Sequence, residues 1–261
     1  MVSLLITTFQ RDDLLQLTLP GILKQATTVA QGATDFEVII LNDGTPDNTE
    51  QLCSAIAAKH NFKNLRYVFT GQRNLEKVHW RIPGFAFNIG AKLAHGDILI
   101  LSCAEMFHVN NCIAQLAAPL VSNKWLMTVP VGRNDTNGKY LSELKATGRG
   151  CSRIWYQLQD LKVHLPFLMG VDKKTYIDIG GYDEDFIGQA FDDNDLVDRL
   201  QLAGCAYYST LAQTVHLFHS RSAPGRNEDG NARWTFNEKM YKEKKGTIFR
   251  NTDREWGALC P

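Results

Sequence analysis

Short apolar runs alternate with longer amphipathic stretches through the first hundred residues, and this alternation constrains the fold more than any other feature of the chain. Residues 2–6, 37–41, 65–69 and 97–101 read as buried strands. Residues 12–31 carry Leu14, Leu15, Leu17, Ile22 and Leu23 at helical spacing, with an irregularity expected at Pro20-Gly21. Residues 48–60, with Leu52, Ile56 and Ala57, and residues 85–95 read as two further helices, and residues 42–45 as a turn. A β-α-β-α-β order of this kind predicts an α/β fold: a mostly parallel sheet with helices on both faces. Sheets of that kind take ligands at the C-terminal ends of their strands.

The second half is less regular. Residues 125–129 and 214–218 read as strands, 172–179 and 193–203 as helices, and 133–150 as a polar loop. Residues 220–230 read as a polar, mobile segment and 234–245 as a charged helix. With no internal repeat, low-complexity tract or linker, the expectation is a single domain over residues 1–261. Residues 1–105 would form its nucleotide-binding half, 106–230 its acceptor and metal half, and 231–261 a C-terminal extension.

Composition excludes several classes. The chain has 28 basic and 28 acidic side chains, so no polybasic footprint for nucleic acid or membrane is present. No apolar run reaches the roughly 18 residues that span a bilayer, and no leader pattern of charged and apolar regions opens the chain. The six cysteines are dispersed and form no CxxC pair, so reduced thiols are expected. Together these lead to the expectation of a soluble, cytoplasmic protein, at most peripheral to a membrane.

The densest chemical signal lies between Asp183 and Asp198, where seven of the chain's 28 acidic residues fall within 16 positions: Asp183, Glu184, Asp185, Asp192, Asp193, Asp195 and Asp198. Crowded carboxylates raise one another's pKa and need a cation, a ligand or a helix N-terminus to offset them. A purely structural account is available for part of this: Asp192 capping a helix, Asp193 and Asp195 in its first turn, and Asp195 pairing with Arg199 at i,i+4.

Residues 181–188, Gly-Tyr-Asp-Glu-Asp-Phe-Ile-Gly, followed by Phe191-Asp192-Asp193-Asn194-Asp195-Leu196, resemble the acceptor-site motif of GT-A glycosyltransferases. The likeness is nearest to the β-linkage galactosyltransferases and the bacterial chondroitin-type polymerases. It implies that Asp193 is the catalytic base and that Asp192 binds acceptor hydroxyls. Gln189 and Ala190 stand where that group has Trp-Gly. Residues 39–47, Ile-Ile-Leu-Asn-Asp-Gly-Thr-Pro-Asp, resemble the family-two nucleotide-binding pattern, which places Asp43 on the uracil ring. Residues 6–11 resemble the family's first strand and loop, which implicates Thr7, Phe9 and Arg11 in holding base and ribose. Residues 88–101 are similar to the helix and strand that lead into the family's Asp-x-Asp metal motif. Here that motif reads Cys103-Ala104-Glu105, which keeps the second acid. Phe87 stands where an arginine is usual, with Arg81 as its replacement.

His216-Leu217-Phe218-His219-Ser220-Arg221 resembles the segment that completes the galactosyltransferase metal shell. The resemblance therefore implies Glu105, His219 and His216 as ligands of Mn²⁺ or Mg²⁺. Residues three apart on an ideal strand face opposite sides, so both histidines can serve only if the strand ends between them. Arg221 and Arg226 are expected near the diphosphate or in a lid. Tyr140, Trp155 and Tyr156 offer aromatic faces for the acceptor, with Trp155 the chosen candidate. The function implied is inverting, metal-dependent transfer of a hexosyl or N-acetylhexosaminyl group. The donor would be a nucleotide-sugar, a UDP-sugar by the match at Asp43, and the acceptor a saccharide or glycoconjugate. The rival readings are a non-catalytic sugar-nucleotide-binding protein and a nucleotidyltransferase. The latter lacks its usual basic, glycine-rich loop over residues 7–13.

Overall fold

The computed structural model describes residues 1–30, 36–44, 46–71, 81–161, 165–219 and 228–259. In chain order the elements are β1 (Val2–Thr8), α1 (Asp12–Ala30), β2 (Phe36–Asn42), α2 (Thr49–Lys59), β3 (Leu65–Phe69), α3 (Gly84–Leu93), β4 (Ile98–Cys103) and β5 (Met106–His108). There follow α4 (Cys112–Ser122), β6 (Leu126–Asn134), α5 (Lys139–Thr147), α6 (Ser152–Trp155), β7 (Gln159–Asp160) and β8 (Leu168–Asp172). The last are α7 (Lys173–Asp178), α8 (Asp192–Leu202), β9 (Ala206–His216) and α9 (Glu228–Lys244).

The described strands form one sheet in the order β3-β2-β1-β4-β8-β6-β9-β5, with β7 beside β6. β1, β2, β3 and β4 are mutually parallel. β8 runs against both β4 and β6, which turns β6 and its parallel neighbour β9 back into the common direction. The sheet is therefore mostly parallel, as the sequence pattern predicts. The C-terminal ends of β1, β2, β4, β6 and β9 share one edge. Register confirms this, because Thr8 sits opposite Asn42, Thr7 opposite Cys103, and Asn134 opposite His216.

Both faces of the sheet are covered, as the wholly buried strands require. Leu4 and Ile6 of β1 point to one face, against Leu15, Leu19 and Ile22 of α1, Ile56 of α2 and Leu116 of α4. Leu5 points to the other, with Phe87 of α3, Tyr176 of α7, Leu196 and Leu200 of α8 and Met240 of α9. A smaller cluster of Leu14, Tyr140, Leu144, Trp155, Val215 and Leu217 packs around the end of β9.

Several elements differ from the sequence expectation. α1 runs unbroken through Pro20-Gly21, because Leu19, Ile22 and Leu23 are all buried and their packing outweighs the cost of Pro20 inside the helix. Part of the expected loop 133–150 is α5. Its buried stripe is only Tyr140 and Leu144, too narrow to show as a periodic pattern, and left-handed Gly138 and Gly148 bracket it. Asp135 starts it by accepting the amides of Tyr140 and Leu141 at 3.2 and 2.9 Å. β6 extends past the expected 125–129 and accommodates Pro130 at a shift of register between Val129 and Val131. β9 begins at Ala206 rather than 214, its first four residues being exposed and hence without an apolar signal. β5, α4, α6, β7 and β8 have no counterpart in the sequence reading. The segment read as mobile falls mostly outside the described residues.

Asn88 locks α3 to the turn that leads into the acidic segment. Its Oδ1 accepts from the Tyr176 hydroxyl and the Tyr182 amide, both at 2.8 Å, and its Nδ2 donates to the Tyr182 carbonyl and to Glu184. Gly181 presses against this polar knot at φ +60°, where an added Cβ would stand 2.3 Å from Asn88 Oδ1 and 2.8 Å from the Trp256 ring. Gly181→Ala is therefore expected to cost on the order of 2 kcal/mol, lowering Tm by roughly 4–8 °C. An unchanged Tm by scanning calorimetry would show that this turn has room to relax.

Candidate active site

The acidic segment divides into acids held by cations or hydroxyls and acids with no basic partner among the described residues. Asp195 accepts from Arg199 Nε at 2.7 Å and from Arg250 at 2.6 Å. Asp183 pairs with Lys244 at 2.7 Å and with Arg250 at 3.0 Å. Asp185 pairs with Lys244 and Arg254, and Asp198 accepts from the Tyr241 hydroxyl. Arg199 is fully buried, and its remaining donors satisfy the carbonyls of Ile179 and Gly181. Four of the seven acids are thus held by cations or hydroxyls, all four of them by residues beyond 240. The expected C-terminal extension is in fact built into the site's foundations.

Asp192 and Asp193 have no basic partner among the described residues. They open α8 at its positive end, where the first-turn amides offset part of their charge. The chain reaches them through Ala190 and Phe191, both left-handed at φ 80° and 67°. That strain is held by Asn237 of α9, whose amide group donates to the carbonyls of Ile187, Gln189 and Ala190. Asp193 accepts from the Tyr182 hydroxyl at 2.9 Å. Burial raises the pKa of both acids. The charge of Asp193 raises Asp192 further, while the Tyr182 hydrogen bond draws Asp193 part of the way back. Burial and the Asp193 charge also keep the Tyr182 phenol protonated and donating. Phe87, in the position where arginine was the comparison, stacks on the Tyr182 ring at 5.8 Å and is core.

Around the same edge, Glu105 occupies the turn between β4 and β5, fixed by the Ala104 amide on Thr7 O and the Leu217 amide on Glu105 O, both 3.0 Å. β9 ends at His216, so the chain turns before His219 and both rings face Glu105. Their Nε2 atoms lie 3.7 and 3.6 Å from Glu105 Oε1. The three groups can offer ligand atoms all within 4.8 Å of one another. One carboxylate oxygen and two imidazoles, with room left for other oxygens, fit a divalent transition cation better than Mg²⁺. Burial pushes the Glu105 pKa up, but the two histidines outweigh it and hold the group below its ordinary value. His216 Nδ1 faces Asn134 Oδ1 at 3.2 Å, and His219 Nδ1 faces Arg11 at 3.1 Å. Cys103 hydrogen-bonds with Thr7 and lies within electrostatic reach of both Glu105 and Asp193, which, with burial, keeps its thiol protonated. It is the neutral link between the two halves of the site.

The proposed nucleotide residues form the third wall. Asp43 is buried, and its Oδ1 accepts from Thr70 at 2.9 Å and from Arg81 Nε and Nη2 at 3.0 and 2.7 Å. Arg81 also covers the Phe85 ring. Phe9 lies on the backbone of Gly44, where an added Cβ would stand 2.3 Å from its ring. Phe9, Asp43 and Arg81 are thus brought together, with Thr7 at the adjoining end of β1, whereas Arg11 reaches His219 instead. Trp155 corrects its expected role at the acceptor. It is 4% exposed, packed in the cluster around β9, with its indole N–H 3.4 Å from Thr214 O and Arg133 over its ring. Tyr140 is equally buried, and the aromatic left to solvent here is Tyr156, 71% exposed. Arg221 and Arg226 lie outside the described residues. Sequence reasoning missed Asn134 and Asn237 as supports, since neither lies in a local motif, and missed the role of Tyr182, which lies in the quoted motif but whose hydrogen bond to Asp193 only the structure reveals.

The fold and this edge agree with known proteins. A family model described as glycosyl transferase family 2 matches residues 3–167. Validoxylamine A glucosyltransferase of Streptomyces hygroscopicus subsp. limoneus is 26% identical over 233 residues, covering 78% of this chain and 48% of the relative. The protein of the same name from S. hygroscopicus subsp. jinggangensis is 25% identical, with 78% and 52% covered. The chain thus spans about half the length of the curated relatives it matches. Among solved structures, a mannosyltransferase from Pyrobaculum calidifontis in complex with GDP-Man and Mn²⁺ has a TM-score of 0.60 at 14% identity, covering 85% of this chain and 58% of that one. GalNAc-T7 with UDP, GalNAc and Mn²⁺ also has a TM-score of 0.60, at 13% identity, covering 92% and 47%. These likenesses share the GT-A arrangement described above, and the family match spans well over half of the sequence: the chain belongs to glycosyl transferase family 2.

Proposed function

We propose that this protein transfers a sugar from a UDP-sugar to a hydroxyl of a saccharide or glycoconjugate acceptor, with inversion and with a divalent cation, Mn²⁺ by preference. The observation that carries the reading is the meeting, across Cys103, of a cation-capable triad and a half-buried aspartate without a basic partner among the described residues. The curated relatives are named as glucosyltransferases, which supports UDP-glucose as the first donor to try. Thr7, Phe9, Asp43 and Arg81 would hold the nucleotide, with Asp43 fixed in place by Arg81 and Thr70. Asp192 would bind acceptor hydroxyls.

Asp193 takes the proton of the acceptor hydroxyl as that oxygen attacks the anomeric carbon. Its raised pKa makes it a better base than an ordinary aspartate, and the Tyr182 hydrogen bond fixes its orientation. A single base at the acceptor and direct displacement give inversion. Glu105, His216 and His219 would hold the cation, which when bound offsets charge developing on the leaving diphosphate.

Asp193→Asn keeps the shape and the Tyr182 contact but cannot take a proton. Turnover with UDP-glucose and Mn²⁺ is expected to fall by about 10²- to 10⁴-fold with UDP affinity retained; near-normal turnover would remove Asp193 as the base. In wild type the acid limb of the kcat profile should lie above the ordinary aspartate pKa of about 3.9, since the base works only when ionised.

The same shift has a stability consequence. A carboxyl whose folded pKa is raised stabilises the fold when protonated, and that contribution is lost as pH rises through the folded value. Metal-free Asp192→Asn and Asp193→Asn should therefore melt higher than wild type at pH 8, with the difference closing toward pH 4. A lower melting temperature at pH 8 would show that the charges are compensated.

Chelator should abolish turnover. Because both histidines face Glu105, His216→Ala and His219→Ala should raise the Mn²⁺ concentration needed for half activity to a similar degree. Full turnover in excess chelator would defeat the metal-dependent reading.

A further inference from the structure

The two histidines are not equally ready to bind a cation. Asn134 Oδ1 accepts a hydrogen bond from His216 Nδ1, 3.2 Å away. The neutral ring therefore carries its hydrogen on Nδ1 and presents the Nε2 lone pair toward Glu105, 3.7 Å off. His219 is arranged the other way round. Its Nδ1 meets an Arg11 guanidinium nitrogen at 3.1 Å. A guanidinium has only donors and stays charged at any relevant pH, so Nδ1 must be the acceptor. The neutral ring then carries its hydrogen on Nε2, the atom that faces Glu105 at 3.6 Å. In this arrangement neither nitrogen of His219 has a lone pair to give, and an arriving cation also meets the guanidinium's charge.

We propose that Arg11 withholds His219 from the cation, and releases it when a nucleoside diphosphate draws the guanidinium away. This rests on the reading of Glu105, His216 and His219 as the cation site. Arg11 sits in the loop directly after β1, at the edge where Thr7 and Phe9 converge, and its other arm donates to Gln10 O at 3.0 Å. Gln10 is left-handed at φ 51°, a local strain that a change of loop conformation would relieve. A diphosphate is the partner a guanidinium prefers over an imidazole, because it offers charge and paired oxygens. Once the guanidinium leaves, the ring proton moves from Nε2 to Nδ1, and Nε2 presents a lone pair to a cation on the Glu105 side. Cation and diphosphate thus bind as a pair, and the cation alone binds weakly.

The test is Mn²⁺ binding, followed by the electron paramagnetic resonance signal of the free ion, to metal-free wild type and Arg11→Met, each with and without UDP. Wild type should bind Mn²⁺ weakly alone and more tightly with UDP. Arg11→Met should bind Mn²⁺ alone more tightly than wild type, by about 5- to 150-fold, the usual span of coupling between two sites. His219→Ala in the Arg11→Met background should remove that gain. Equal or weaker Mn²⁺ binding by a folded Arg11→Met would overturn the proposal. Absence of binding in wild type with UDP would instead overturn the cation site itself. Imidazole ¹⁵N spectra of metal-free wild type give an independent check that needs no variant. His219 should show hydrogen on Nε2 and His216 on Nδ1, and the opposite tautomer at His219 would overturn the assignment.

Discussion

The site depends on the parallel pairing of β1 with β2 and β4. Thr8 opposite Asn42 and Thr7 opposite Cys103 bring the ends of three strands to one line, and with them Asp43, the loop bearing Phe9 and Arg11, and the turn bearing Glu105. Each strand is buried on both faces, so slipping β1 by one residue would exchange the side chains of Leu4 and Leu5 between two different helix layers. The apolar cost of that exchange fixes the register, and the register fixes the site.

Charge is handled by partition. Seven carboxylates crowd one short segment, yet the buried guanidiniums of Arg199 and Arg250, with Lys244, take up Asp183, Asp185 and Asp195. Such pairs contribute little net stability once desolvation is counted, but losing one partner would strand a buried charge. Their effect is positional: they anchor the base of α8, so that Asp192 and Asp193 stand at its end with raised pKa values and, among the described residues, without basic partners. The left-handed backbone at Ala190 and Phe191, tied down by Asn237, completes the presentation. Replacing Asp193 is thus expected to stabilise the fold and, on the proposed reading of it as the base, to remove the chemistry, the usual opposition between a working site and a relaxed one.

The sequence by itself determined the α/β class and the first-half strands and helices, because apolar runs of period two and 3.6 lie directly in the residue order. It also determined which residues could carry charge or ligate. The pairing of Asp195 with Arg199 was readable from its i,i+4 spacing, and Glu105, His216 and His219 could be named together through the resemblance. What sequence could not decide was direction and company. Trp155 is an aromatic in a polar region, and only its packing against Leu144 and Val215 shows that it is core. α5 is hidden because two buried residues make no periodic stripe. Asp193 and Asp195 have the same side chain two positions apart, and it is Arg199 with the distant Arg250 that ties down one, while the other has no basic partner among the described residues. The end of β9 at His216, which turns both histidines toward Glu105, is likewise set by pairing with β6, 82 residues earlier in the chain. Such contacts join parts of the chain with no local pattern in common, so only the tertiary structure could decide them.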